Sequence, residues 1–283
     1  MTEEKANKII ENIELVDLLD DDAYDKVYKI LNTQIGKMGT FAFDLNYHPD
    51  LFYCRARIMK NVKDYFDEIS DHSYNPKLNL IKMGRANIKE QQILYLGRTR
   101  PTALAEVNII ENQKDKKLVS YGISRWQPIK QLKIVAVVDP TTIDQIEADE
   151  IRDLQETVRT VRKELIKTNQ NGYLKLYEYF GSKFRELIVK GEEHKYKITS
   201  AFSNMVFDLN KNIDGIMYQS VKLPQYYNLA IKKDKVDEYY FKPSHFVKNI
   251  YERENITKLK DVAIEVAKSF DESKNTIEWE YSL

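Results

Sequence analysis

Residues 84–107 read GRANIKEQQILYLGRTRPTALAEV. This segment predicts a loop that carries Arg85, a short apolar strand that carries Tyr95, and a helix that carries Glu106. Much later in the chain, residues 214–220 read DGIMYQS, which is typical of a turn and a strand that ends at Ser220. An arginine, a tyrosine, a glutamate and a serine in this order suggest a site for a substrate with phosphate and glycosidic groups.

The composition limits the classes of function that the chain can have. Its 283 residues include 44 basic and 44 acidic residues, so no net charge draws it to nucleic acid or to a membrane surface. Without a long apolar run or a basic-then-apolar leader, we expect a soluble, cytoplasmic protein. The single cysteine, Cys54, excludes an internal disulfide, and its apolar surroundings predict a buried, inert thiol. The four histidines show no metal-binding spacing, so no metal site is predicted.

The pattern of apolar residues predicts a mixed α+β chain. Residues before about 45 have helical spacing, and 142–195 form a second helical region, interpreted as an insertion. The continuous apolar run from Ile134 to Val138 predicts a strand buried on both faces. The remaining predicted strands are 51–59, 93–97, 118–123, 215–221, 227–231 and 239–241. A short helix or turn is predicted over 61–69. The remaining helices begin near 101, near 199 and near 259, and the last of these runs to about 270.

Arg55 and Arg57 lie two positions apart on the predicted strand 51–59, so both side chains leave the same face. Two guanidinium groups on one face repel each other unless an anion lies between them. A diphosphate meets that need, because a guanidinium group binds phosphate oxygens in pairs. The alternative is a solvated edge strand whose arginines pair with acidic neighbours. Arg85 is placed in a loop from which its side chain can reach a cleft, although surface arginines in loops are ordinary.

The other three candidates also have a plain structural alternative. Tyr95 either belongs to the core or forms a wall for a flat cationic ring such as nicotinamide. Glu106 either faces solvent or faces a ligand, which the small neighbours Ala103 and Ala105 would allow to come close. Ser220 has no histidine at an obvious partner position, so it is interpreted as a hydroxyl that orients a ligand or a carboxylate rather than as a nucleophile.

Together these motifs resemble the RES domain family, bacterial toxins that are usually encoded beside an Xre-type antitoxin. The similarity covers roughly residues 50–110 and 196–245. The chain departs from the family pattern at Met83, Ala86 and Gln219, where the family has glycine, tryptophan and proline. The similar pieces are Phe52-Tyr53-Cys54-Arg55-Ala56-Arg57, Gly84-Arg85-Ala86-Asn87, Leu94-Tyr95-Leu96, Thr102-Ala103-Leu104-Ala105-Glu106-Val107, Asp214-Gly215-Ile216-Met217-Tyr218-Gln219-Ser220 and Asn228-Leu229-Ala230.

The resemblance implies an ADP-ribosyltransferase-like fold with a split β-sheet core. This domain would span residues 46–283, with the helical insertion at about 142–195 and a helical N-terminal extension over 1–45. The implied partners are NAD and an Xre-type antitoxin, with a homo-oligomer as a further possibility and without nucleic acid, membrane or metal.

The resemblance also implies an activity, the cleavage of the nicotinamide–ribose bond of NAD by water or phosphate. Glu106 would stabilise the ribose cation, Tyr95 would pack the nicotinamide and Ser220 would orient the ring or the glutamate. The diphosphate and the rest of NAD would be bound by Arg85, Arg55, Arg57 and Asn87. Two alternatives stay open: mono-ADP-ribosylation of a protein target, and a non-catalytic interaction protein of the same fold whose helical additions form the working surface.

Overall fold

A mixed ten-stranded β-sheet forms the centre of the part of the chain that the computed structural model describes, residues 1–35, 39–59, 66–107, 117–253 and 259–282. The strands are β1 (Phe41–Leu45), β2 (Tyr53–Ile58), β3 (Ile93–Gly97), β4 (Leu118–Pro128), β5 (Leu132–Val137), β6 (Gly215–Gln219), β7 (Tyr227–Lys232), β8 (Phe241–Arg253), β9 (Leu259–Asp271) and β10 (Thr276–Ser282). Their order in the sheet is β1-β5-β6-β7-β3-β2-β4-β8-β9-β10. The pair β5–β6 is parallel, and the other neighbouring strands are antiparallel.

Seven α-helices accompany this sheet in the described residues. They are α1 (Glu3–Glu14), α2 (Ala23–Gln34), α3 (Arg100–Glu106), α4 (Arg152–Lys167), α5 (Asn171–Arg185), α6 (Tyr196–Leu209) and α7 (Lys233–Asp237). Helices and a mixed sheet in one chain confirm the predicted α+β class. The more specific ADP-ribosyltransferase-like type stays a prediction.

Helices cover both faces of the half of the sheet that contains β5. On one face, Val135 and Val137 of β5 pack in a core formed with α1, α2, α5 and α6. On the other face, Ile134 and Ala136 belong to a second core, to which α4 contributes Leu154. Successive side chains of a strand point to opposite faces, so a continuous apolar run fills both cores. The prediction of a doubly buried strand is confirmed.

The sheet is almost divided between β2 and β3. These two strands are joined by a single residue pair, Cys54 with Gly97, whereas β2 pairs with β4 along its whole length. Helix α3 packs against Gly97 of β3 at this junction. A Cβ atom on Gly97 would lie 2.6 Å from the backbone nitrogen of Ala103 in α3, so only glycine allows this approach. A gap therefore opens between the strands directly beside α3.

Two predicted elements have a different structure. Residues 41–45 form strand β1 at the edge of the sheet, so the helical N-terminal segment ends at Gln34. The predicted C-terminal helix around 259–270 is wrong, because this segment forms strand β9 between β8 and β10. Val262, Ile264 and Val266 are β-branched and alternate with other residues, which favours a strand over a helix.

The helical middle of the chain agrees with the prediction in kind but not in its bounds. Before α4 begins, the chain makes two short 3₁₀ turns, at Ile143–Gln145 and Asp149–Ile151. Helix α5 ends at Arg185, before the end of the predicted helical region at 195. The prediction for 61–69 lies mainly outside the described residues, and a 3₁₀ helix runs over Ile69–His72.

None of the described helices is long and apolar enough to cross a membrane. The division of the chain into an extension over 1–45, a domain over 46–283 and an insertion over 142–195 stays a prediction.

Candidate active site

A cleft of about 240 Å³ lies where the sheet divides between β2 and β3. It contains four of the predicted site residues, Arg55, Arg85, Tyr95 and Glu106. The full lining is Cys54, Arg55, Ala56, Gly84, Arg85, Tyr95, Leu96, Gly97, Ala103, Glu106, Val107, Tyr196, Tyr218 and Asn228. The loop, strand and helix of residues 84–107 therefore meet around one cavity.

Glu106 is the last residue of α3, and its exposed side chain lines the cleft. The start of this short helix is well defined: the hydroxyl of Thr99 accepts a hydrogen bond from the Thr102 backbone N–H, and Pro101 stands in the first turn. The carboxylate oxygen Oε1 of Glu106 accepts hydrogen bonds from Ser220 Oγ at 2.9 Å and from Asn228 Nδ2 at 2.8 Å. Oε2 has no hydrogen-bond partner among the described residues, so this oxygen is the one left for a ligand.

Ser220 follows β6 and is only 1% exposed. Its hydroxyl donates to Glu106 and accepts from the backbone N–H of Leu223 at 3.3 Å. Both hydrogen bonds hold the hydroxyl in one orientation. This geometry suits a group that fixes a neighbouring carboxylate.

Arg85 lies in the loop before β3 and is 8% exposed. Its guanidinium group donates to the backbone carbonyls of Lys183 at 3.4 Å and Glu186 at 2.6 Å, at the C-terminal end of α5. It also lies over the ring of Tyr196, 5.5 Å from the centroid. Within the described ranges it forms no ion pair with a carboxylate. Two neutral carbonyls therefore orient the guanidinium group, and no carboxylate among these residues balances its positive charge.

Arg55 adds a second cation to the cleft, and the residues that the structure describes supply no carboxylate partner for it either. One of its terminal nitrogens donates to the backbone carbonyl of Tyr95 at 3.1 Å, while its buried Nε has no hydrogen-bond partner. Burial, together with the nearby charge of Arg57, lowers the pKa of Arg55 to about 9. A low pKa for a guanidinium group means that the cation is poorly solvated where it stands. An anion in the cleft would relieve that cost.

Arg57 points to a different part of the molecule. Its guanidinium group donates to the backbone carbonyl of Asp71 and lies over the ring of Phe66, 5.9 Å from the centroid. Burial lowers the pKa of Arg57, and the charge of Asp71 opposes that change. Arg57 does not line the cleft. The structure thus brings only one of the two β2 arginines to the other site residues.

Tyr95 and Asn87 hold the loop that carries Arg85. The Tyr95 hydroxyl accepts from the Ala86 backbone N–H at 2.9 Å and donates to Asn87 Oδ1 at 2.7 Å. Asn87 Nδ2 donates to the backbone carbonyls of Lys82 and Ile88, and Asn87 does not line the cleft. Burial raises the pKa of Tyr95, so its hydroxyl stays protonated and able to donate. Asn87 thus shapes the loop instead of facing a ligand.

Among the cleft residues that were not predicted as site residues, three carry a hydroxyl or amide group: Tyr196, Tyr218 and Asn228. Tyr218 is buried on β6, and burial and the charge of Glu106 raise its pKa well above the usual value. Asn228 lies beside it on β7, paired with Tyr218 on one side and with Gly97 on the other. The available signal was the asparagine itself, a polar residue within the apolar strand Tyr227–Lys232. For Tyr196 no comparable signal exists, because it begins a helix of mixed composition.

Comparison with known protein families identifies the family to which this chain belongs. A family model described as RES domain matches residues 57–243, which is more than half of the sequence. The chain belongs to the RES domain family. This family is generally associated with NAD-related toxin function, which suggests an NAD-related enzymatic role for the chain. No curated protein matches the chain.

The RES domain match contains Arg85, Tyr95, Glu106 and Ser220, whereas Arg55 lies just before it. It also runs through the helical region that separates α3 from β6, so this region belongs to the matched segment. Helices α1 and α2, strand β1 and strands β9 and β10 lie outside the match.

Proposed function

We propose that this RES domain protein cleaves the nicotinamide–ribose bond of NAD. The observation that carries the proposal is a cleft with two uncompensated guanidinium groups, Arg55 and Arg85, and one anchored carboxylate, Glu106. A ligand that satisfies all three has phosphate groups at one end and a centre that becomes positive at the other. NAD has both, because its diphosphate adjoins a ribose that carries a cationic nicotinamide.

The two arginines would hold the diphosphate. Arg85 is oriented by the carbonyls of Lys183 and Glu186, so its fork needs little reorganisation to bind phosphate oxygens. Arg55 contributes a charge that the folded protein leaves poorly solvated. Binding an anion there recovers part of the free energy that burial of the guanidinium group costs.

Glu106 would promote the bond cleavage electrostatically. When the C1′–N bond breaks, its electron pair leaves with the nicotinamide nitrogen, which loses its positive charge, and the ribose becomes a cation. Oε2 of Glu106, which has no hydrogen-bond partner among the described residues, would accept a hydrogen bond from a ribose hydroxyl and stabilise that cation as it forms. Water or phosphate then bonds to C1′, and a proton is released when water is the acceptor. The leaving group needs no general acid.

The size of the cleft supports enclosure of only part of the dinucleotide. Its volume of about 240 Å³ lies below the roughly 300–1,000 Å³ of pockets that enclose drug-sized ligands. The nicotinamide and its ribose would occupy the cleft between Tyr95, Tyr196 and Tyr218, and the adenosine would extend beyond it.

The decisive experiment measures nicotinamide release from NAD by the purified protein, with and without phosphate. The Glu106→Gln variant keeps the volume of the side chain and removes its charge, so we expect at least about a hundredfold loss of turnover. The control is Glu11→Gln, at an exposed position of α1. Wild-type protein that releases no nicotinamide in either buffer, or a Glu106→Gln variant with wild-type turnover, would refute the proposal.

Depletion of cellular NAD by a cytoplasmic toxin, held in check by an Xre-type antitoxin, belongs to the same proposal. Expression of the wild-type protein in bacteria should lower NAD and arrest growth, and the Glu106→Gln variant should do neither. Transfer of ADP-ribose to a protein is the competing outcome, and labelled NAD would reveal it as label retained on protein.

A further inference from the structure

We infer that Asn228 is a positioning residue that selects Oε2 of Glu106 as the oxygen that faces the substrate. This inference rests on the proposed function and extends it to a residue on a different strand. Asn228 donates from Nδ2 to Oε1 of Glu106 at 2.8 Å, and Ser220 donates to the same oxygen at 2.9 Å. Both donors therefore bind the same oxygen of the carboxylate, and no residue in the described part of the chain binds the other oxygen.

Asn228 is well placed to hold the carboxylate still. It lies on β7, paired with Tyr218 of β6 and with Gly97 of β3, and it is only 2% exposed. A residue inside a sheet moves less than one in a loop, so its amide defines a fixed point. Glu106, in contrast, is an exposed residue at the end of a short helix. Without the asparagine, the Ser220 hydroxyl would be the one described side chain left to hydrogen-bond the carboxyl group and restrict its rotation.

The charge of Glu106 orients the side-chain amide of Asn228, so that its NH₂ group faces Glu106 and its carbonyl oxygen Oδ1 points away. Its Oδ1 is buried and has no hydrogen-bond partner within the described ranges. Exchanging the two ends of the amide would place Oδ1 against Oε1 of Glu106, and two acceptors would then repel each other. A buried acceptor without a partner destabilises the folded state. A residue that served packing alone would gain from an apolar side chain at this position.

These facts distinguish positioning from packing. Replacing Asn228 by leucine, which has a similar size, removes both the donor to Glu106 and the unpaired acceptor. We expect the melting temperature to stay the same or to rise, because the unpaired acceptor is gone. Turnover of NAD should fall by about tenfold to a hundredfold, because the carboxylate is no longer held in its productive orientation. The KM for NAD should stay within about twofold, since Arg55 and Arg85 are unchanged.

The experiment measures kcat, KM and melting temperature for wild type, Asn228→Leu and Asn228→Ala, with Glu106→Gln as reference. The alanine variant guards against misfolding caused by the larger leucine. A Ser220→Ala variant and the Ser220→Ala/Asn228→Leu pair test whether the two donors act on the same oxygen, in which case their losses in kcat are not additive.

The possible outcomes separate this inference from the function on which it rests. A lower kcat with unchanged KM and unchanged or higher melting temperature supports it. Wild-type kcat in both Asn228 variants, while Glu106→Gln is inactive, overturns the positioning role and leaves the NAD cleavage standing. A lower melting temperature with unchanged kcat shows packing only and also overturns it. Absence of cleavage by the wild-type protein overturns the function and this inference with it.

Discussion

The hydroxyl of Tyr95 donates to Asn87 Oδ1 at 2.7 Å and accepts from the neighbouring Ala86 backbone N–H. Tyr95 belongs to strand β3 of the sheet. Asn87 belongs to the loop that carries Arg85, and this loop is closed by a hydrogen bond from the Gly84 backbone N–H to the Asn87 backbone carbonyl. One phenol thus fixes the loop to the sheet, and the position of Arg85 in the cleft depends on it.

Replacing Tyr95 by phenylalanine should therefore weaken NAD binding more than it slows the chemistry. The change leaves the Ala86 N–H and Asn87 Oδ1 without this partner, which costs about 1–3 kcal/mol of folding stability. We expect the KM for NAD to rise about tenfold and the melting temperature to fall by a few degrees. The control is Tyr47→Phe, whose ring is 55% exposed. An unchanged KM would show that the loop keeps its place without this hydroxyl.

Arg55 should stabilise the complex with an anion and not the free protein. Replacing it by methionine removes a partly buried, incompletely hydrogen-bonded cation, so we expect the melting temperature of the ligand-free protein to stay the same or to rise by about 2 °C. Inorganic pyrophosphate should stabilise the wild-type protein against heat and the variant much less. The control is Arg162→Met, an exposed position of α4. Equal stabilisation of all three proteins would exclude Arg55 from the anion site.

Gly97 should tolerate no side chain, because α3 passes directly over it. An alanine there places Cβ 2.6 Å from the backbone nitrogen of Ala103, so the helix that carries Glu106 must move. We expect a loss of about 1–3 kcal/mol in stability and reduced turnover in the folded fraction. The matched control is Gly39→Ala, where the nearest atom is 3.9 Å away. Thermal melts that show both variants equally stable would contradict the close packing at the junction.

His72 should make the protein sensitive to acid. Burial lowers its pKa to about 3 from the ordinary value of 6.5. Since the folded-state pKa is the lower one, the unfolded chain binds the proton first, and stability is full above pH 6.5 and lost as the pH falls towards 3. Urea melts across this range should show a decline for wild type and a shallower decline for His72→Phe, whatever its absolute stability. Parallel declines would assign the acid sensitivity to other groups.

The sequence predicts those parts of the fold and site that local patterns determine. The run Ile134 to Val138 identifies a doubly buried strand because an apolar run of that length satisfies both faces of a sheet. Residues 84–107 predict a loop, a strand and a helix together because these elements follow one another in the chain. Strand β9 was missed because Ala263, Glu265 and Ala267 are compatible with a helix, and pairing with β8 and β10 decides the outcome.

The missed parts of the site depend on contacts between distant segments. Asn228 contacts Glu106 only because β7 lies beside β3 and α3 in the folded sheet. Arg55 and Arg57 have different contacts because the side chain of Arg55 reaches the backbone of Tyr95, whereas that of Arg57 reaches the backbone of Asp71. The alternation of side chains along a strand places both arginines on one face of the sheet. It does not predict which segment of the chain packs against each arginine.

The two carbonyls that hold Arg85 belong to the main chain at positions 183 and 186. Every amino acid supplies such a carbonyl, so substitutions at these two positions leave both hydrogen bonds to the arginine in place. An insertion or deletion between them is a different matter, because it shifts one carbonyl away from the guanidinium group. The two hydrogen bonds to Arg85 therefore depend on the spacing of positions 183 and 186 and not on the identity of their side chains.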